Sequence, residues 1–338
     1  MKILIIKLGA LGDAVRTSYF LKGLTGKCGA RRHITWVTSE PAIPLLKYHP
    51  EIDALISDRE FARQGAEVRD RSFDWVISLD DETEACRLLQ NVRWTKLTGA
   101  FLQGEEVKYT NDAAPWFDMG LVSRFGKTRA DELKRLNQKT HDEIFAGILG
   151  LQVISPLFYL APKARETAGA MLNGKSGRVV GLNLSAGNRW LNKRLLLSEA
   201  KNLIARMREA GHEGLLFGGE EDLAYNQQLA GETGCGVLSP VSLEVFAGVI
   251  SHVKAIIVAD TLALHLAIAQ QIPSVSFYAP TSAAEINTFG TGLKVASTSS
   301  DYCSYKSQAD NSSITAGRLF DAFIELTATR ISPSCAPA

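Results

Sequence analysis

Lys2-Ile3-Leu4-Ile5-Ile6-Lys7-Leu8 runs straight into Gly9-Ala10-Leu11-Gly12-Asp13. A continuous apolar run bounded by glycine reads as a strand buried on both faces, the kind found in a parallel sheet covered by helices. From Ala14 to Leu24, Val15, Tyr19, Leu21 and Leu24 recur at roughly helical spacing. Strand, glycine-rich turn and helix together present backbone N–H groups and one acidic side chain at a sheet edge, where α/β proteins hold ligands. On these residues alone Asp13 serves equally well as the N-cap of the helix.

The alternation continues along the chain. Ile34–Thr38 and Phe73–Leu79 read as further strands, and an irregular aromatic stretch, Tyr109 to Trp116, precedes a long polar helix from about Ala130 to Leu149. Pro156, Pro162 and the Gly174-Lys175-Ser176-Gly177 cluster suggest a linker. Beyond it the pattern is regular: strands at Arg178–Leu184, Gly214–Phe217, Ala255–Ala259 and Ser274–Tyr278 alternate with helices at Leu196–Ala210, Asp222–Gly231, Ser242–Ser251 and Leu262–Gln270. The expectation is two parallel-sheet α/β domains, residues 1–160 and 161–338.

Totals narrow the function. With 46% hydrophobic and 22% charged residues, the chain of 338 residues has the composition of a globular protein. A formal net charge of +1 argues against nucleic acid as a partner. Five scattered cysteines without metal-ligand spacing read as reduced thiols in a cytoplasmic protein. Lys7 and Asp13 interrupt the N-terminal apolar stretch, which therefore does not read as a signal peptide. No stretch reaches the ~18 apolar residues that span a bilayer. The first strand lacks the Gly-x-Gly-x-x-Gly of dinucleotide enzymes, and its glycines lack the Gly-Lys-Ser/Thr of P-loops.

A second motif lies about 250 residues on: Ile256-Ile257-Val258-Ala259-Asp260-Thr261-Leu262-Ala263-Leu264-His265, then Pro273 and Ala279-Pro280-Thr281. With the Gly-x-Leu-Gly-Asp start, it resembles glycosyltransferase family 9, the ADP-heptose transferases of lipopolysaccharide inner core. Leu262 and Ala279 stand where that family carries glycine. The resemblance implies the GT-B architecture, two Rossmann-like domains with parallel sheets facing across a cleft, and a last helix (about 315–327) returning to the first domain. It also implies an inverting, metal-independent transferase that moves heptose from ADP-heptose to a glycolipid or saccharide acceptor. No cofactor is implied, and no Asp-x-Asp metal anchor is found.

By the same resemblance Asp13 is the base, Lys193 meets the donor phosphates, Thr261, Leu262 and Ala263 offer a helix N-terminus to them, and Asp260 contacts the donor sugar. Ser185 ends a donor-domain strand, either Glu221 or Asp222 reaches the ribose or both simply form an acidic first helix turn, and Val241 borders the adenine or is plain core. His265 sits among Leu264 and Leu266, where a histidine is more often structural. Lys7, Gly9 and Gly12 lie on the acceptor side, Lys7 either sensing the acceptor or ending its strand in solvent, the glycines letting the turn approach closely. Asp80-Asp81-Glu82 reads as an acceptor contact or, more conservatively, an acidic helix start. Tyr109–Trp116 reads as an acceptor lip or core. Lys22, Lys27, Arg31 and Arg32 read as a solvated face or a peripheral contact with the inner membrane. Two rivals stay open: another nucleotide-sugar transferase or epimerase of this fold, and a non-catalytic nucleotide-sugar-binding protein.

Overall fold

The structure, a computed structural model, describes residues 1–64, 72–188, 190–306 and 308–331. The chain divides into two compact units, Met1–Tyr159 and Leu160–Ala338.

The first unit contains six strands: β1 (Lys2–Ile6), β2 (His33–Thr38), β3 (Ala54–Ser57), β4 (Ser72–Ser78), β5 (Arg93–Gln103) and β6 (Glu106–Tyr109). They form one sheet in the order β3-β2-β1-β4-β5-β6, parallel except for the terminal β5–β6 hairpin. The opening run explains why β1 is central. Ile3 and Ile5 enter a core with Trp36, Trp75 and Phe145, whereas Leu4 and Ile6 enter the opposite one with Val37, Phe73 and Val76. All four are fully buried, each worth about 1.5–3 kcal/mol relative to exposure.

The second unit repeats the order. Its strands are β7 (Val179–Asn183), β8 (Glu213–Leu216), β9 (Gly236–Val237), β10 (Ala255–Ala259), β11 (Ser274–Tyr278) and β12 (Gly292–Ala296). They pair in parallel as β12-β11-β10-β7-β8-β9. Each sheet thus reverses direction once, between β1 and β4 and between β7 and β10. The carboxyl ends of strands flanking such a reversal open a crevice, the usual ligand position of doubly wound sheets.

Several expectations are corrected. The long helix before Leu149 is two helices, Lys127–Leu136 and His141–Leu149, because Thr140 and Glu143 form a reciprocal cap that starts the second afresh. Part of the expected linker is the helix Pro162–Met171, which packs on Leu243–His252 closely enough that a Cβ on Gly248 would lie 2.7 Å from the Ala164 carbonyl oxygen. The last helix, Ala316–Ile331, places Leu319, Phe323 and Leu326 in the second unit's core. Their i, i+4, i+7 spacing covers the sheet face beside β11 and β12, with the helix Leu197–Glu209 as neighbour.

Candidate active site

In the first unit the loop after β1 closes on a carboxylate from the loop after β4. Asp80, 3% exposed, accepts hydrogen bonds from the Lys7 ammonium and from the backbone N–H groups of Leu8 and Gly9, the last at 3.1 Å. Lys7 is the cation of a mostly buried pair. Burial opposes its ammonium, but Asp80 and then Asp13 outweigh that and raise its pKa above the usual lysine value. Burial, with Asp80 adding to it, pushes the Asp81 carboxyl up.

Asp13 sits in the first turn of the helix Leu11–Thr17 without capping it, since no side chain caps that helix. Arg16 donates to its Oδ1 at 2.7 Å and lies 5.8 Å from the centre of the Trp116 ring. Neither Gly9 nor Gly12 has positive φ; Ala10 does, at +24°, a conformation that costs a non-glycine residue about 1–3 kcal/mol. Gly9 matters by proximity instead, because its Cβ position lies 3.4 Å from Asp80 Oδ1.

The neighbouring residues have partners within the first unit. Tyr109 stacks on Phe117 and donates to Asp118, and Trp116 meets His141 and Phe145. Lys27 donates to the carbonyls of Leu149 and Gly150, and Arg32 pairs with Glu51 and Asp53.

In the second unit β11, β10, β7 and β8 are consecutive neighbours, so their carboxyl ends form one rim. Asp260 and Thr261 follow β10, and the helix Leu262–Ala269 begins there. Lys193 donates to the Asp260 carbonyl at 2.9 Å and to its Oδ2 at 3.0 Å. His265 is buried, with Nε2 3.9 Å from Asp260 Oδ1, where it supports this carboxylate. Burial favours the neutral acid, but the Lys193 ammonium, then His265 and the Thr281 hydroxyl, outweigh it and hold Asp260 far below the usual carboxylate range. Leu262 and Ala263 open the helix, where backbone N–H groups have no intrahelical acceptor. Leu262 has ordinary φ and is half-buried, so nothing in the backbone here demands glycine.

The two acidic residues of the loop after β8 are held differently. Asp222, 6% exposed, accepts from Gly187 N–H at 2.8 Å with one oxygen and from Gly219 N–H at 3.0 Å with the other. It ties the loop after β7 to the loop after β8. Glu221 is exposed and accepts from Asn188 N–H at 2.8 Å, leaving it the carboxylate of the two that faces outward. Two glycines make room: Gly187, with φ of +67°, has Glu221 Oε2 where its Cβ would be, and a Cβ on Gly218 would lie 2.6 Å from Asp222 Oδ2. Ser185, 1% exposed, accepts from Arg194 Nε at 3.1 Å, and Val241 is half-buried just before Ser242, which caps the next helix.

Asn183 was missed. It is buried at the end of β7, donates to the Phe217 carbonyl and accepts from the Thr261 hydroxyl at 2.9 Å, joining three strand ends. Its signal was one amide closing an otherwise apolar strand. The partners of Asp80 lie on another element and that of Arg16 one helical turn away, so neither role shows in a local motif. Among the described residues no three His, Cys, Asp or Glu side chains gather as metal ligands, and the four described cysteines are free thiols. No helix described is long and apolar enough to cross a membrane.

Two Rossmann-like α/β domains, each with charged side chains at its sheet reversal, define the GT-B class of transferase fold. The model of glycosyltransferase family 9 (heptosyltransferase) matches residues 134–314, and the chain belongs to that family. Among solved structures it is similar to a family 9 glycosyl transferase of Veillonella parvula, with 18% identity, 97% of each chain covered and a TM-score of 0.72. The E. coli ADP-heptose lps heptosyltransferase II has 17% identity over 98% of this chain and 100% of that one, with a TM-score of 0.67. The E. coli heptosyltransferase WaaC, solved with ADP-2-deoxy-2-fluoro heptose, has 18% identity over 97% and 100%, with a TM-score of 0.61. At such identity these likenesses concern the fold. No curated protein matches the chain.

Proposed function

We propose that the chain is an inverting, metal-independent heptosyltransferase that moves heptose from ADP-heptose to a sugar hydroxyl of a lipopolysaccharide core precursor. One observation carries the reading: Lys193 and Asp260 meet at the start of the Leu262–Ala269 helix, beside the reversal of the second sheet. An ammonium and a helix N-terminus favour the diphosphate of a nucleotide sugar, and Asp260 suits a sugar hydroxyl. Glu221 faces outward where a ribose would lie. The donor itself is taken from the ADP-heptose analogue in the WaaC structure.

Transfer breaks the bond between the anomeric carbon and the diphosphate oxygen, whose electron pair leaves with ADP. Positive character at the sugar and negative charge on ADP grow together, and Lys193 with the N–H groups of Leu262 and Ala263 meets the second. The acceptor oxygen attacks from the opposite face, inverting the centre, and its proton passes to Asp13. Arg16 holds that carboxylate in place.

The test is ADP release from ADP-heptose, with and without a lipopolysaccharide-core acceptor, for wild type and Asp13→Asn. Acceptor-dependent release that disappears in the variant supports donor, reaction and base together. Absence of release, and of thermal stabilisation by ADP-heptose, would sink the donor assignment. Binding at ~100 times the dissociation constant stabilises a fold by about 2.7 kcal/mol, and UDP- and GDP-sugars are the alternatives to assay next.

A further inference from the structure

The chain between β12 and the last helix bonds to two loops on the rim of the second sheet, and two of its residues are held in a conformation that side chains disfavour. Cys303 and Tyr305 have φ of +58° and +54°. Such outliers persist only where surrounding bonds fix them, and they gather at functional sites. Here the bonds lead to the loop after β11. Cys303 N–H donates to the Ala279 carbonyl at 3.1 Å and Tyr305 N–H to that of Pro280 at 2.9 Å. The Tyr305 hydroxyl accepts from Ser282 N–H at 3.3 Å and donates to the buried Glu285 carboxylate at 3.2 Å, while that of Tyr302 accepts from Ala283 N–H at 2.8 Å. Thr281, one of the groups that favour the Asp260 carboxylate, lies within this clamp.

Further along, the same chain grips the turn that carries Lys193. Asn192, 8% exposed, donates from Nδ2 to the Lys306 carbonyl at 2.7 Å. Asn311 donates from Nδ2 to the carbonyl of Asn192 at 3.2 Å and to that of Arg194 at 2.7 Å. Lys193 is the residue between those two carbonyls. A lysine ammonium is a point charge on a flexible four-carbon stem, so its placing depends on where the backbone starts it. That start is fixed by one amide bridging the flanking carbonyls, a bridge that needs a group with two N–H donors.

We propose that Asn311 is the positioning residue for Lys193: by spanning the Asn192 and Arg194 carbonyls it aims the ammonium at Asp260 and so at the donor diphosphate. The inference rests on the reading of Lys193 as the cation that meets this diphosphate. Asn311 makes no contact with the reacting atoms; its whole effect on transfer passes through Lys193.

The experiment is a double-mutant cycle on ADP release from ADP-heptose with a lipopolysaccharide-core acceptor, with stabilisation by ADP followed in thermal melts. Its members are wild type, Asn311→Asp, Lys193→Met and the two together. Asn311→Asp keeps the side-chain shape and loses both N–H donors. Its kcat is expected to fall about tenfold, short of the roughly 100-fold that ~1 Å of misplacement can cost, with donor KM within about threefold. Added to Lys193→Met, the same substitution should leave kcat within about twofold, because the group it positions is gone, while its effect on melting temperature should be equal in both backgrounds. Should Asn311→Asp not fold, Asn311→Ser and Asn192→Ala loosen the same turn and are read in the same way. A kcat loss that persists undiminished in Lys193→Met overturns the proposal, because Asn311 then acts on the fold at large. So does an Asn311→Asp enzyme with wild-type kcat. Wild type that neither releases ADP nor is stabilised by it, or Lys193→Met that matches wild type in both, overturns the functional reading and the inference with it.

Discussion

Lys193→Met keeps most of the side-chain volume and removes the charge. Lys193 and Asp260 are 13% and 14% exposed and share a 3.0 Å ion pair. Breaking a fully buried pair costs about 3–5 kcal/mol. Here the pair lies on a rim, and His265 still supports Asp260, so the expected loss is about 2 kcal/mol. In a domain of this size that lowers the melting temperature by about 4–8 °C. The acid limb supplies a second signature. Asp260 has its pKa depressed on folding, so between the folded value and the unfolded value of about 3.9 the unfolded chain binds more protons. The pair therefore contributes fully above about pH 4 and is lost as pH falls through the folded pKa. Lys193→Met should flatten that limb in a pH series of melts. Activity separates from stability in the double variant: Asp260→Asn added to Lys193→Met should recover part of the lost stability, with a coupling of about 0.5–3 kcal/mol. ADP release should stay about 100–1,000-fold down in both, since the leaving group lacks its cation. A Lys193→Met protein that keeps its acid profile and its turnover would refute both roles.

Three further outcomes follow from the geometry. Asp222→Ala removes the acceptor of two backbone N–H groups and should cost about 2–4 kcal/mol in urea melts, whereas Glu221→Ala should cost under about 1 kcal/mol and instead raise the donor KM. Asp80→Asn leaves the Lys7 ammonium half-buried without its carboxylate and should destabilise the first unit by about 3 kcal/mol. Because the pKa of Lys7 is raised on folding, its share of stability is present below the unfolded value of about 10.4 and lost as pH rises through the folded one, so only alkaline melts should report it.

What was legible depended on whether an element's character was local. β10 and β11 stand where the apolar runs Ala255–Ala259 and Ser274–Tyr278 placed them, because strands buried on both faces announce themselves without their neighbours. β5 and β6 were not expected. The first four residues of β5, Arg93-Trp94-Thr95-Lys96, are exposed, and β6 exists only as its antiparallel partner. At the site, residue types next to the two glycine-rich turns were readable, and partners were not. Lys193 meets Asp260 across 67 residues and Leu8 meets Asp80 across 72, separations that local spacing does not encode. The preference for Asp222 or Glu221 was equally hidden, since it rests on which one turns toward Gly187 and Gly219.

That choice has a consequence for how this chain can vary. The carboxylate of Asp222 spans two loops 32 residues apart, and the glycines at 187 and 218 stand where neighbouring carboxylates fill the space of a side chain. A larger residue at either glycine evicts a carboxylate; a shorter one at 222 strands two amides. No single substitution at these positions leaves the rest intact. They are expected to drift together or not at all, one unit of inheritance written in separate parts of the sequence.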